Sequence, residues 1–366
     1  MKSIIVAVAA ALAPVWALSQ IVIGQTAGIT GIVAAGVKET TEGAKLWLDN
    51  VNAKGGVNGQ KIELLSMDDK FDPKVAAANA RTLIEEKNVV ALFLVRGTPH
   101  SEAILPLLEQ HGVPLVGPST GAMSLHQPVK KYVFNVRATY QREAEKAVSH
   151  LATMGVTRIA VVYADDSFGA DALEGAHKGF QKAKFEPVMV IKANRLKPDY
   201  KAIIPQITGK DAQAVLWLAS GNAVADGVKA LRADKSAAQV VTLSNNASSG
   251  FVKSLGDSAR GVIVTQVFPY EHSYAYGFIK EALMLAKAKN TDLTPAMLEG
   301  YAAAKVLVEG LRRAGPNPTR QKLFAALEGM RNYDLGGLEI SYGPDDHTGL
   351  DFADLSIIGQ DGKFKR

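Results

Sequence analysis

The chain has 366 residues, 47% hydrophobic and 21% charged, enough for two ordinary globular domains that bury cores without metal or disulfide support. Its 41 basic and 36 acidic residues leave a formal net charge of +5, and no basic run is dense enough to form a nucleic-acid face. Cysteine is absent, which excludes thiol catalysis, thiolate metal sites and a lipid-anchored cysteine.

Residues 1–19 read as a secretory signal peptide. Lys2 precedes the apolar run "SIIVAVAAALAPVWAL", and small residues suited to cleavage follow near residues 17 to 19. A membrane anchor is the alternative, but the run is short, Pro14 interrupts it and strand-like sequence follows at once. The expected compartment is the periplasm of a Gram-negative cell.

From residue 20 the pattern alternates. Strand-length apolar runs occur at "QIVIG" (20–24), "KIELLSM" (61–67), "VVALFLV" (89–95) and "VPLVG" (113–117). Val37, Ala44, Leu48 and Val51 recur between them at helical spacing, as do Ala76, Ala80 and Leu83. The same grammar restarts with strands at 158–164, 186–191, 214–219 and 239–243, and helices at roughly 141–154, 170–183 and 222–233. A mainly helical stretch, 271 to 329, completes the first unit. Strands apolar throughout, alternating with helices, predict an α/β fold of two doubly wound lobes with parallel sheets. "FNVRATY" (134–140) and "VTQVFPY" (264–270) are the candidate crossovers. Two lobes on short crossovers leave a cleft at the strand C-terminal ends, where such folds bind ligands.

"KGGVNGQK" (54–61) has the glycines and lysine of a phosphate loop in reversed order, after a helix and before a strand, so it reads as a C-cap and tight turn. Asp68, Asp69 and Asp72 lack calcium-loop spacing and read as a strand exit and helix start. "GQTAGITG" (24–31) is not a dinucleotide fingerprint, although its glycines suit one wall of a cleft. "VRGTPHSEA" (95–103) and "VGPSTGAMS" (116–124) place Thr98, Ser119 and Thr120 between a strand and a helix, where free N–H groups suit a carboxylate; plain N-capping is the alternative. Arg96 and His100 add positive charge there unless they are simply solvated. In the second unit Phe168 can stack on a ligand, and Asn222, Asn245 and Asn246 lie in polar loops in the equivalent places, where turn chemistry also favours asparagine. No HExxH or SxxK arrangement is present, and Asp165 and Asp166 point apart on a strand exit, so no catalysis, metal or cofactor is expected.

The stretches "GITGIVAAG", "NAKGGVNGQKIELLSMDDKFDP", "GTPHSEAILPLLEQHGVPLVGPSTGA", "RIAVVYADDSFGADALEG" and "ARGVIVTQVFPY" together resemble the type I periplasmic solute-binding proteins, in the leucine/isoleucine/valine-binding group. The resemblance implies two Rossmann-like lobes joined by three crossovers, 20–138 plus 267–350 and 139–266 plus 351–366, a ligand between them, and an ABC permease in the inner membrane as partner of a monomeric binding protein. It implies that Thr98 grips a ligand carboxylate, that Ser119, Thr120 and Gly121 form the loop beside it, and that Phe168 lines the second lobe. Asn222 and Ala223 fall near a further aromatic position that this chain lacks. Amino-acid binders of the group pair the α-ammonium with a glutamate, where "SNNASSG" offers Asn245 or Asn246, and the first lobe's cleft tryptophan is replaced by small residues. The expected ligand is therefore a small carboxylate-bearing solute, branched-chain amino acid-like or an aromatic or short organic acid that lacks the α-amine. A ligand-sensing role for a receptor and, more remotely, an α/β enzyme are the alternatives.

Overall fold

The computed structural model describes residues 20–366, so the signal peptide expected at 1–19 lies outside the described residues. The first sheet is built by β1 (Ile21–Ala27), α1 (Ala34–Ala53), β2 (Ile62–Asp68), α2 (Pro73–Glu85), β3 (Ala91–Phe93), α3 (Thr98–His111), β4 (Leu115–Val116) and β5 (Val133–Phe134). Its strands are parallel in the order β2-β1-β3-β4-β5.

The chain then crosses to the second sheet through α4 (Tyr140–Thr153), β6 (Ile159–Ala164), α5 (Ser167–Ala183), β7 (Met189–Ala193), α6 (Tyr200–Thr208), β8 (Ala214–Leu218), α7 (Asn222–Ala233), β9 (Gln239–Thr242), α8 (Ser249–Leu255) and β10 (Ile263–Gln266). It returns to pack α9 (Gly277–Ala288), α10 (Pro295–Ala314), α11 (Arg320–Glu328) and the hairpin β11 (Tyr333–Asp334) and β12 (Glu339–Ile340) on the first lobe. A third crossing delivers β13 (Asp354–Ile358) and β14 (Phe364–Lys365), which extend the second sheet antiparallel to the order β14-β13-β10-β9-β8-β6-β7.

Burial follows from the sequence pattern. In β8 all five residues of AVLWL are buried, as a strand covered by helices on both faces requires. One core gathers Trp217, Phe180 and the β6, β8 and β9 aliphatics; another gathers Ile23, Phe93, Phe134 and Tyr301 under α1 and α10. Each fully buried large aliphatic contributes about 1.5–3 kcal/mol. Helices α1 and α10 cross so closely that a Cβ on Gly300 would lie 1.7 Å from the Thr40 carbonyl oxygen.

The strands depart from expectation in two places. β7 starts at Met189 rather than 186, because Pro187 has no N–H to donate to the ladder. β3 stops at Phe93, because Leu94 takes the left-handed φ of 50° and turns the chain out of the sheet toward the cleft. "KGGVNGQK" is a turn: Val57 and Gln60 pair as an isolated bridge, and the Asn52 amide brackets Ile62 with two 2.8 Å hydrogen bonds.

Candidate functional site

The C-terminal ends of the two sheets face each other across a narrow, partly open chamber lined by both lobes. The first lobe contributes Phe71, Arg96, Gly97, Thr98 and Pro99. The second contributes Asp166, Phe168, Arg195, Ser220 and Asn245, with Tyr140 at the start of α4 closing one side. Phe168 meets Tyr140 edge to face at 4.7 Å, so this wall is aromatic. A second small chamber adjoins the first and shares Arg96 and Asn245 with it. Its walls include Gly36, Asn222, Asn246, Ser248 and Phe251.

The chamber is electropositive. Arg96, only 5% exposed, donates from Nη1 to Ser119 Oγ at 2.8 Å and from Nη2 across the cleft to the Asn245 carbonyl at 2.8 Å. Among the described residues no carboxylate forms an ion pair with it. Arg195 donates to the Phe71 carbonyl at 2.8 Å, lies 4.2 Å over the Phe71 ring and sits 3.5 Å from Asp166. Two guanidiniums therefore face the cavity against one carboxylate. His100 adds nothing to this charge, contrary to one sequence reading. Burial, helped by the Arg195 and Arg96 charges, lowers its pKa to about 4 and keeps it neutral, stacked 4.6 Å behind Phe71.

Behind Arg96 runs a buried network. Ser119 Oγ donates to Glu299 Oε1 at 2.7 Å, and the other Glu299 oxygen is 3.8 Å from Arg137. Arg137 pairs with Glu143 and donates to Ser244 Oγ at 2.9 Å; Glu143 also accepts from the Ser244 N–H at 2.8 Å and from the Thr265 hydroxyl. Burial opposes the Arg137 charge, but Glu143, Tyr140 and Glu299 outweigh it and raise its pKa above the ordinary value. The network thus joins the first crossover, the β10 end of the second and the residue that braces Arg96.

The lobes also clasp each other outside the chambers. Glu39 on α1 accepts from Ser249 N at 3.0 Å, Ser249 Oγ at 2.6 Å and Gly250 N at 2.9 Å at the start of α8, while also taking the Thr294 hydroxyl at 2.8 Å. Ser167 of α5 donates to Glu102 of α3 at 2.6 Å, and Asp171 accepts from Met123 N at 3.1 Å. Glu39→Ala removes the α1 clasp and leaves the ligand chamber intact, so ligand release should quicken about tenfold with little change in association rate. Stopped-flow release kinetics check this.

Phe71 owes its place to a strained loop. Lys70 and Phe71 both have positive φ, 53° and 59°, and the buried Asp69 holds them by accepting from Phe71 N at 2.9 Å and Thr26 Oγ1 at 3.0 Å. Burial raises the Asp69 pKa to about 6, against 3.8 ordinarily. Between those values the folded chain holds a proton that the unfolded chain has lost, so acidification favours folding and the penalty is complete only above pH 6. The stability gained by Asp69→Asn should therefore grow between pH 4 and 6 by about 2–3 kcal/mol and then level off. Denaturant titrations of both proteins across that range measure it.

The structure brings Thr98, Phe168 and Asn245 to the first chamber and Asn222, Asn245 and Asn246 to the second. Ser119, Thr120 and Gly121 stand behind the wall. Ser119 braces Arg96 and Glu299, Thr120 Oγ1 is 2.7 Å from Thr98 Oγ1, and the Gly121 carbonyl accepts from Tyr140 N at 2.8 Å. The Asn246 side chain is fully engaged: Oδ1 accepts from Gly221 N at 2.7 Å, and Nδ2 donates to Ala219 O at 3.0 Å and Thr242 Oγ1 at 2.8 Å. Sequence reasoning did not place Phe71, Tyr140 or Arg195 in the cleft. Phe71 was hidden in a stretch that reads as a turn, although a phenylalanine between aspartates is an unusual exposed-turn residue. Arg195 follows a strand, and that position was its only signal.

The chain matches the periplasmic binding protein family model over residues 20–353. It is 23% identical over 314 residues to Leu/Ile/Val-binding protein homolog 3 of Brucella melitensis, covering 85% of this chain and 84% of the relative. With a Leu/Ile/Val-binding protein of Rhizobium johnstonii it shares 25% identity over 334 residues, 89% of this chain and 88% of the other. A crystal structure of a substrate-binding periplasmic protein from Ralstonia solanacearum superposes with a TM-score of 0.86 at 31% identity, covering 94% of this chain and 99% of that one.

Proposed function

The chain belongs to the periplasmic binding protein family, and on that premise we propose that it captures a small carboxylate-bearing solute that lacks an α-ammonium group and delivers it to an ABC permease. The observation that carries the ligand class is Arg96, buried in the interlobe chamber with no carboxylate paired to it among the described residues. A buried guanidinium without a counter-ion favours an anion that arrives with the ligand, and planar two-point contact suits a carboxylate. An α-ammonium would meet two guanidiniums and a carboxylate, Asp166, that Arg195 already engages.

Thr98 adds a hydroxyl beside Arg96, and Phe168 with Tyr140 supplies the apolar wall. The moving bodies are 20–138 with 267–350 and 139–266 with 351–366. Closing them excludes water from the solute and displays a surface that the open form lacks, which the permease reads. The protein binds without turnover, acts as a monomer and reaches the periplasm by its signal peptide. Micromolar affinity, about −8 kcal/mol, is within reach of a few charge-assisted hydrogen bonds and one buried apolar group. Titration calorimetry against amine-free acids and against leucine tests the reading. Acids are expected to bind at micromolar or lower concentration and leucine at least about tenfold more weakly; tight leucine binding with no response to the acids would overturn it.

A further inference from the structure

Asn245 separates the two chambers and lines both. It is 7% exposed. Its Nδ2 donates to the Ala219 carbonyl at 3.2 Å and lies 2.9 Å from Ser220 Oγ. Because a carbonyl only accepts, that contact fixes which way round the amide lies. Its Oδ1 is then a buried acceptor with no partner among the described residues. Such an oxygen costs free energy until a donor reaches it. The backbone carbonyl of this same residue accepts from Arg96. The group that reads a carboxylate is therefore bonded to the residue that carries the unfilled acceptor, which points to a donor for Oδ1 at the carboxylate end of the ligand.

We propose that the solute is an α-hydroxy acid, its carboxylate on Arg96 and its hydroxyl donating to Asn245 Oδ1. This rests on the carboxylate reading above and sharpens it. A hydroxyl supplies the donor that the neutral amide oxygen needs without bringing a positive charge into a chamber that already holds two guanidiniums. An α-keto or α-methoxy acid offers only acceptors and leaves Oδ1 unsatisfied. A plain acid leaves it empty, and an α-amino acid brings a cation that no free carboxylate meets.

Titration calorimetry on the full chain with two matched series tests this: mandelate, phenylacetate, α-methoxyphenylacetate and phenylglycine; then α-hydroxyisocaproate, isocaproate and leucine. Within at least one series the hydroxy acid should bind about tenfold or more tighter than its plain, methoxy and amino counterparts. Asn245→Ala should bring the hydroxy and plain acids to within about threefold of each other while both still bind. If plain acids bind as tightly as hydroxy acids to the unaltered protein, the inference fails and the carboxylate reading stands. If amino acids alone bind, both fall. The unaltered protein decides between these outcomes even if the variant does not fold.

Discussion

Replacing Arg96 by methionine should weaken binding of a carboxylate solute by about a hundredfold or more while leaving the unliganded protein no less stable. Truncating one side of a buried, hydrogen-bonded charge pair costs about 2–5 kcal/mol of binding. Here the pair forms only when the ligand supplies the anion, since the Arg96 partners are Ser119 Oγ and the Asn245 carbonyl. The same fact sets the sign of the stability effect. A guanidinium held out of water without a counter-ion burdens the empty protein, and methionine fills much of the volume without that burden. Loss of affinity together with an unchanged or raised melting temperature would identify Arg96 as a ligand-reading group. An equal fall in both would make it a structural brace. Arg96→Lys keeps the charge but loses the planar fork, and an intermediate loss of about tenfold is expected. Calorimetry and thermal unfolding on the same preparations separate these outcomes.

Gly221→Ala should hold the lobes apart. Gly221 lies at the start of α7 with a φ of 54°, and an added Cβ would stand 1.9 Å from the Ile32 carbonyl oxygen of the opposite lobe. The adjacent Asn222 N–H donates to that same oxygen at 3.2 Å. Backbone atoms on both sides leave no flexible side chain to yield, so relief requires the cleft to open. If closure is disfavoured by about 3 kcal/mol, apparent affinity falls by about a hundredfold, because only the closed fraction holds the ligand. The lobes fold on their own cores, and the backbone at φ 54° and ψ −130° adds about 1–3 kcal/mol of local strain for alanine. Small-angle scattering should therefore give a larger radius of gyration than the parent protein shows with ligand, and no contraction when acid is added. A variant that contracts normally would show that Gly221 is not at a closing contact.

Much of this architecture could be read from the residues. The alternation of wholly apolar strands with amphipathic helices identified two α/β units, and α4, α5 and α7 begin within three residues of expectation. The starts of α4 and α5 are legible because caps are local chemistry: Thr139 accepts from Arg142 N and Asp166 from Gly169 N. The third crossing, between β12 and β13, carries no such signal and followed only from the family resemblance. In the site, residues that leave a strand into a helix were legible, and Thr98, Phe168 and Asn245 came from that rule. What was not legible depends on long-range placement. Ser119 reads as a ligand contact, and nothing local announces that a glutamate 180 residues further along accepts its hydroxyl behind Arg96. Phe71 reads as part of a turn until the second lobe sends Arg195 onto it. His100 reads as a charge until its complete burial is known. Pattern locates the rim of a cleft, whereas which side chains face inward is settled by the partner lobe.

The most direct test is a crystal structure of the protein with the tightest-binding acid from the calorimetric series. The account predicts the ligand enclosed by both lobes, with a carboxylate oxygen within about 3 Å of an Arg96 nitrogen and its apolar body against Phe168 and Tyr140. An acid bound outside the cleft, or seated within it with its carboxylate turned away from Arg96, would contradict it.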